Sequence, residues 1–389
     1  MKSSYGIVRR ETSTLSSDGH SWLRVLAWFP DPTYTRRGIV QLVHGMSEHI
    51  GRYDHFARFL AGLGYVVFGH DHIGHGKSAS STRDLGCLPL SNGKEVLIED
   101  VLCVRKAFLA ESKPYLFKSV RMNKKSEHEK DGQVPDSKAK APEAESLATE
   151  DTSSELPLFL FGHSMGSYIA RIIAARYPQD LAGVVLCGAG NQPALLAKLG
   201  NVLSKGVAAL KGETYRSSFL YSLVSGSFVS AIDNPRTEFD WLSTDPAVVD
   251  AFCADPLSGA RFSAGGYVTL TDLVAEAVSK HTAETTPSDL PVLFIAGEDD
   301  PVGSSGKGVR KAALHYQSAG MNDVEVILYP GMRHEVLNEP GKMTVYSDVE
   351  AWLTQHAILW EIARQDTQDL SSSEERPESS EECSESSAS

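Results

Sequence analysis

The chain has 389 residues and an apolar fraction ordinary for a globular protein, room enough for one large domain with a substantial insertion. Its formal charge of −13 at pH 7 argues against nucleic acid or anionic lipid as the main partner, although eight acids from Asp366 onward supply much of that charge. No run is long enough to span a bilayer, residues 1–14 lack the apolar stretch of a secretion signal, and five scattered cysteines show neither disulfide nor zinc spacing, so a cytoplasmic location with buried thiols is expected.

The first strand signal is the apolar run Gly38–Val43. Tyr53, Phe56, Ala57 and Leu60 then mark a helical face that stops near Gly62 or Gly64, and residues 65–68 form a second apolar run, completing a β-α-β unit. A second amphipathic helix carries Ile98, Val101, Leu102, Phe108 and Leu109 on one face. Residues 113–155 are rich in Lys, Glu, Asp, Ser and Pro and nearly free of apolar residues after Val120, which predicts a disordered surface loop. The run 158–161 reads as a strand, and Tyr168, Ile169, Ile172 and Ile173 as the buried face of a helix ending before Pro178. Another strand signal lies at 183–187.

From about Gln192 to Leu273 the pattern turns irregular, with Phe219, Tyr221, Phe228, Phe239, Trp241 and Phe252 among small residues, as in an inserted cap whose aromatics bind an acyl chain or pack on the sheet edge. Strand signals return at 290–296 and 324–328, separated by a helix through Val309, Ala312, Ala313 and Tyr316 that closes at Gly320. Strands alternating with helices predict an α/β fold with a mostly parallel sheet covered on both faces. The expected limits are a core over residues 1–190 and 274–365, a cap over 191–273, and an acidic Ser/Glu tail over 366–389 too polar to order itself.

Gly162-His163-Ser164-Met165-Gly166 carries the chemistry. Gly-x-Ser-x-Gly between a strand and a helix is a nucleophile elbow, a turn so tight that side chains at its ends would strike neighbouring backbone. A serine hydroxyl is a weak nucleophile and needs a base, an acid to orient that base, and donors for the oxyanion. On such sheets the chain order is Ser, then acid, then His. Glu298, Asp299 and Asp300 follow the strand at 290–296; Asp300 is favoured over Asp299, although Asp300 before Pro301 is also a good helix N-cap. His334 follows the last strand and is the expected base, whereas His44 and His49 precede the serine. The expected oxyanion donors are the backbone N–H groups of Met165 and of Met46, in the loop after the first strand.

The stretch His44-Gly45-Met46-Ser47-Glu48-His49 with Gly51-Arg52-Tyr53, the stretch Asp71-His72-Ile73-Gly74-His75-Gly76-Lys77-Ser78 and the elbow together resemble the monoglyceride lipase and lysophospholipase branch of the serine α/β-hydrolases, over residues 19–352. The resemblance implies an α/β-hydrolase fold with an inserted cap. It also implies hydrolysis of lipid-like carboxylic esters, monoacylglycerol or lysophospholipid, through an acyl-enzyme on Ser164. It supports Asp300 as the acid and places Glu48, Arg52 and His163 at the substrate head group. Met46 departs from a commonly small residue, and the loop over 113–155 from a usually short connection.

Alternatives are a short-chain esterase, a thioesterase, or a non-catalytic protein using the same pocket to bind a ligand. No cofactor is expected. His70, Asp71, His72 and His75 have metal-ligand chemistry, but a hydrogen-bonded turn is preferred to a metal site. Gly76-Lys77-Ser78 ends like a phosphate loop, yet Asp71 stands where that loop needs glycine, so nucleotide binding is rejected. The expected partner is a small ester or lipid, with transient membrane contact through the cap left open and no oligomeric state read from these features.

Overall fold

Short runs of β-branched, aromatic and aliphatic residues form strands covered on both faces and build the centre of a single sheet. In the computed structural model, which describes residues 6–116 and 156–374, these are β3 (Gly38–Val43), β4 (Tyr65–His70), β5 (Leu158–His163), β6 (Leu181–Cys187) and β7 (Val292–Gly297), and every residue in them is buried. β8 (Val324–Tyr329) closes one edge, and pairing is parallel from β4 to β8. The other edge is an antiparallel hairpin, β1 (Val8–Leu15) with β2 (Trp22–Phe29), joined to β4 by antiparallel pairing. The order across the sheet is β1-β2-β4-β3-β5-β6-β7-β8.

Alternate strand residues feed two cores, one on each face. Leu26, Trp28, Val40 and Leu42 pack with α1 (Asp54–Ala61) and α11 (Lys342–Glu374). Val25, Ile39, Val43 and Leu160 pack with α2 (Gly93–Leu116), α3 (Met165–Arg176) and α10 (Lys307–Ser318). Of the loop expected over 113–155, the first residues continue α2 to Leu116, and 117–155 lie outside the described residues. Similarly, α11 runs on to Glu374, past the expected start of the acidic tail at Asp366; residues 375–389 lie outside the described residues.

Between β6 and β7 the chain leaves the sheet for six helices: α4 (Ala194–Lys211), α5 (Ser218–Val224), α6 (Gly226–Ser230), α7 (Pro246–Ala254), α8 (Ala264–Ala277) and α9 (Lys280–Thr285). α8 packs on α2 and α3, and α4 lies on α8. The α4 contact uses small and polar residues: Ala197, Asn201, Ser204 and Ala208 are its buried positions, with Asn201 Nδ2 donating to the Val268 carbonyl and to Thr271 Oγ1, both at 3.1 Å. Its large side chains point the other way, leaving Leu195, Leu199, Val202 and Leu210 exposed.

Candidate active site

Ser164 stands where β5 turns into α3, with φ 53° and ψ −118°, a conformation strained for any residue with a Cβ. The flanking glycines are required by close approach. A Cβ on Gly166 would collide with the Val43 carbonyl oxygen, and one on Gly162 with the Gly166 carbonyl oxygen. The turn is fixed by Ser164 N–H donating to the Cys187 carbonyl at 2.9 Å and by Ser167 Oγ donating to the Ser164 carbonyl at 2.6 Å.

His334 follows β8 and is buried, its Nδ1–H donating to Asp300 Oδ2 at 3.0 Å. Asp300 is fully buried and its Oδ1 accepts the Val302 N–H at 2.8 Å, while Asp299 is exposed. The imidazole is held between the rings of His163 and Trp241, with centroids 4.8 Å and 5.1 Å away. Gly188, at φ 58°, leaves room for it: a Cβ there would stand 3.0 Å from the ring. With Nδ1 committed to Asp300, Nε2 is the free nitrogen, and His334 and Ser164 line one cavity of about 540 Å³.

The loop after β3 comes up beside the serine, a Cβ on Gly45 lying only 2.9 Å from Ser164 Cβ. Ser47 takes a left-handed φ of 57° to tighten this loop, and its Oγ donates to the Ala260 carbonyl at 2.6 Å. Met46 and Met165 both line the cavity at Ser164. Met165 opens α3, so its N–H is a first-turn donor with no carbonyl behind it in the helix.

Glu48, Arg52 and His163 also come together, facing one another more than open space. Glu48 Oε1 accepts from Gly45 N–H at 2.6 Å, Tyr53 Oη at 2.9 Å and His163 Nδ1 at 3.0 Å, and Glu48 Oε2 accepts from Arg52 at 3.1 Å. Burial pushes the Glu48 carboxyl up, but His163, Arg52 and the Gly45 N–H outweigh it and hold it well below the carboxylate range. Burial pulls His163 down, and its bond to Glu48 more than compensates, leaving its pKa raised. Glu48 and His163 line the cavity at Ser164; Arg52 lines a small neighbouring one that shares Glu48, His163 and Glu335 with it.

Asp71 organises the turn after β4. Its carboxylate accepts the Ile50 and Lys77 N–H groups, both at 2.8 Å, and Arg24 at 3.3 Å. His44, His70, His72 and His75 are buried, with His44 and His72 centroids 4.2 Å apart. His44 Nε2 accepts the His72 N–H at 3.0 Å, so its Nδ1–H donates to the Gly45 carbonyl at 2.8 Å. Burial drives all four below the usual histidine range, His70 to about 3. Among the described residues the group whose ligand atoms converge enough for a metal is Asp323, Glu325 and His356, where β8 meets α11.

The aromatic residues of the inserted segment divide: Phe219 is exposed, whereas Tyr221, Phe228, Phe239, Trp241 and Phe252 line the cavity. The sequence reading missed Glu335. Its carboxylate takes Arg52 Nη1 at 2.5 Å and Nη2 at 2.7 Å and lines the cavity. Its one sequence signal is an acid bonded directly to the expected base.

The sequence pattern of the serine aminopeptidase, S33, family matches residues 34–112 and 132–341. The chain belongs to that family. A monoacylglycerol lipase of Mycolicibacterium smegmatis is 29% identical over 332 residues, 85% of this chain and 91% of the relative. A monoglyceride lipase of Homo sapiens is 28% identical over 326 residues, 83% of this chain and 84% of the relative. Among solved structures, a thermostable carboxyl esterase from Bacillus coagulans, in complex with glycerol, superposes with a TM-score of 0.73 at 29% identity, covering 90% of this chain and 99% of the other. The fold is that of an α/β-hydrolase of the monoglyceride lipase type, and the protein is a carboxylic ester hydrolase.

Proposed function

We propose that this carboxylic ester hydrolase cleaves lipid-like esters, monoacylglycerol or lysophospholipid, through an acyl-enzyme on Ser164. The observation that carries the reading is the strained serine opening onto the same cavity as an imidazole whose far nitrogen is tied to a buried aspartate. His334 Nε2 takes the hydroxyl proton as Ser164 Oγ attacks the ester carbonyl, and then passes it to the leaving alcohol. A water molecule activated by the same nitrogen releases the acid. Asp300 holds the imidazole in the tautomer that keeps Nε2 free and stabilises the imidazolium. The Met46 and Met165 N–H groups receive the oxyanion, an arrangement whose donors are each worth on the order of 100- to 1000-fold in turnover.

Glu48 and His163 give the cavity its polar end for the alcohol head group, and Leu199, Leu203, Phe228, Phe239 and Val274 an apolar wall for an acyl chain. The inserted helices act as a cap, and transient membrane contact runs through α4, where Leu195, Val202 and Leu210 stand exposed among Lys198, Lys205 and Lys211. A cytoplasmic location fits the free thiols, although of those expected to be buried only Cys187 is, Cys103 and Cys253 being exposed, among the described residues.

The test is covalent capture. A fluorophosphonate should label Ser164 and stop turnover, and Ser164→Ala should neither label nor turn over while keeping the wild-type melting temperature. Unlabelled, folded wild-type protein would sink the proposal. A panel crossing acyl length with glycerol, phosphocholine and simple alcohol leaving groups then identifies the substrate.

A further inference from the structure

We propose that Arg52 and Glu335 are positioning residues that lock the oxyanion loop to the loop of the catalytic base, and that Arg52 does not contact substrate. The inference rests on the assignment of Ser164, His334 and the Met46 N–H made above. Five groups form a closed ring. Gly45, one residue before Met46, donates its N–H to Glu48 Oε1 at 2.6 Å. Arg52 Nη1 donates to Glu48 Oε2 at 3.1 Å, and Nη1 and Nη2 grip the two oxygens of Glu335 at 2.5 Å and 2.7 Å. Glu335 is bonded to His334 and anchored by its own N–H to the Leu242 carbonyl at 2.7 Å. His163 closes the circuit between Glu48 Oε1 at 3.0 Å and the His334 carbonyl at 3.4 Å.

The protonation pattern follows from the partners. A carboxylate and a carbonyl can only accept, so His163, with Glu48 at 3.0 Å on Nδ1 and the His334 carbonyl at 3.4 Å on Nε2, is placed to donate from both nitrogens, which favours the imidazolium. The ring then holds two carboxylates, a guanidinium and an imidazolium, and its charges cancel. Without that cancellation a group of charges this deeply buried would be strongly disfavoured.

Arg52 is turned toward its partners rather than toward Ser164. Its guanidinium lies over the Phe252 ring at 4.7 Å, three of its five N–H donors serve Glu48 and Glu335, and it is absent from the walls of the cavity at Ser164. A planar guanidinium held on two oxygens constrains both distance and angle, which a lone point charge does not. The Met46 N–H receives the carbonyl oxygen in the same step in which the His334 imidazole takes the proton of the attacking Ser164, so their relative placement decides the rate; a misplacement of about 1 Å costs roughly 100-fold.

Two variants test this. Arg52→Met/Glu335→Leu removes both charges without stranding either, and Glu335→Gln keeps the side-chain shape but loses the charge. Each is compared with wild type for melting temperature, for kcat and KM on a soluble short-chain ester, and for the rate of fluorophosphonate labelling. The expected result is a 10- to 100-fold fall in kcat with KM within about twofold, a parallel fall in labelling rate, and a near wild-type melting temperature in the double variant. Wild-type kcat in the folded double variant would overturn the proposal, as would a rise in KM at unchanged kcat, which would return Arg52 to the head group. Failure of both variants to fold would reduce the ring to a folding requirement and overturn it too. Wild-type protein that does not label would instead sink the assignment of Ser164.

Discussion

Asp299 and Asp300 are covalent neighbours with opposite surroundings, one exposed and the other fully buried against His334. A carboxylate facing water cannot fix an imidazole, and a buried one with both oxygens engaged can hardly do anything else. Asp300→Asn should therefore lower kcat by about 10⁴-fold, the scale of losing the orienting acid of a serine triad. Asp299→Asn should stay within about twofold of wild type. Steady-state kinetics on a soluble ester decide this, and a severe Asp299 variant beside a mild Asp300 one would exchange the assignments. That Ser164, Asp300 and His334 come together was legible in the sequence because each sits in a motif or at a strand exit. Arg52–Glu335 was not: its partners are 283 residues apart, and nothing in either segment marks the other.

At the scale of elements, legibility tracks burial. β5 reads LFLFGH and is buried throughout, so its apolar run stands out. β1 reads VRRETSTL and is mostly exposed, an edge strand with no apolar face and hence no pattern to find. Exposure accounts for β1 alone: β2 reads WLRVLAWF, is buried in all but its first residue, and is the exception, an apolar run the sequence reading passed over. α4 illustrates a different limit: it lies in the stretch whose pattern reads as irregular, and its leucines do not show which side faces inward. The structure turns Ala197, Ser204 and Ala208 in and Leu195, Val202 and Leu210 out, the reverse of a helix stabilised by burying its largest side chains. Leu195→Glu/Val202→Glu/Leu210→Glu should leave hydrolysis of a soluble short-chain ester unchanged, since none of the three lines the cavity. Sedimentation with lipid vesicles and activity on vesicle-borne substrate should both fall. Equal vesicle binding by the variant would remove α4 as the contact surface.

The whole molecule carries an acid liability in the four buried histidines clustered at the ends of β3 and β4. Unfolded, they titrate near 6.5; folded, burial lowers them all, His70 to about 3. Below pH 6.5 the unfolded chain takes up protons that the folded state refuses, so stability is full above that pH and falls beneath it. Each such proton contributes about 1.4 kcal/mol per pH unit. His163 has the opposite sign: its raised pKa supplies stability that is complete below 6.5 and fades as pH rises through its folded value, so it does not offset the acid loss. Glu48, held low, adds to the loss only beneath about 4.5, its ordinary value. Urea midpoints should drop between pH 6.5 and 5. His70→Leu, at a ring whose nitrogens have no hydrogen-bond partner among the described residues, should flatten that slope by one proton's worth. Equal midpoints at the two pH values would reject the account.

The outward leucines of α4 also change what substrate concentration means for this protein. Leu199 and Leu203 are exposed to solvent and at the same time form part of the wall of the cavity at Ser164. With α4 docked on a lipid surface, as proposed, a lipid entering past them would not have to cross water as a monomer. The rate should then follow the two-dimensional density of ester in that surface, so diluting it with inert lipid should slow hydrolysis even when the moles of substrate per litre are held constant.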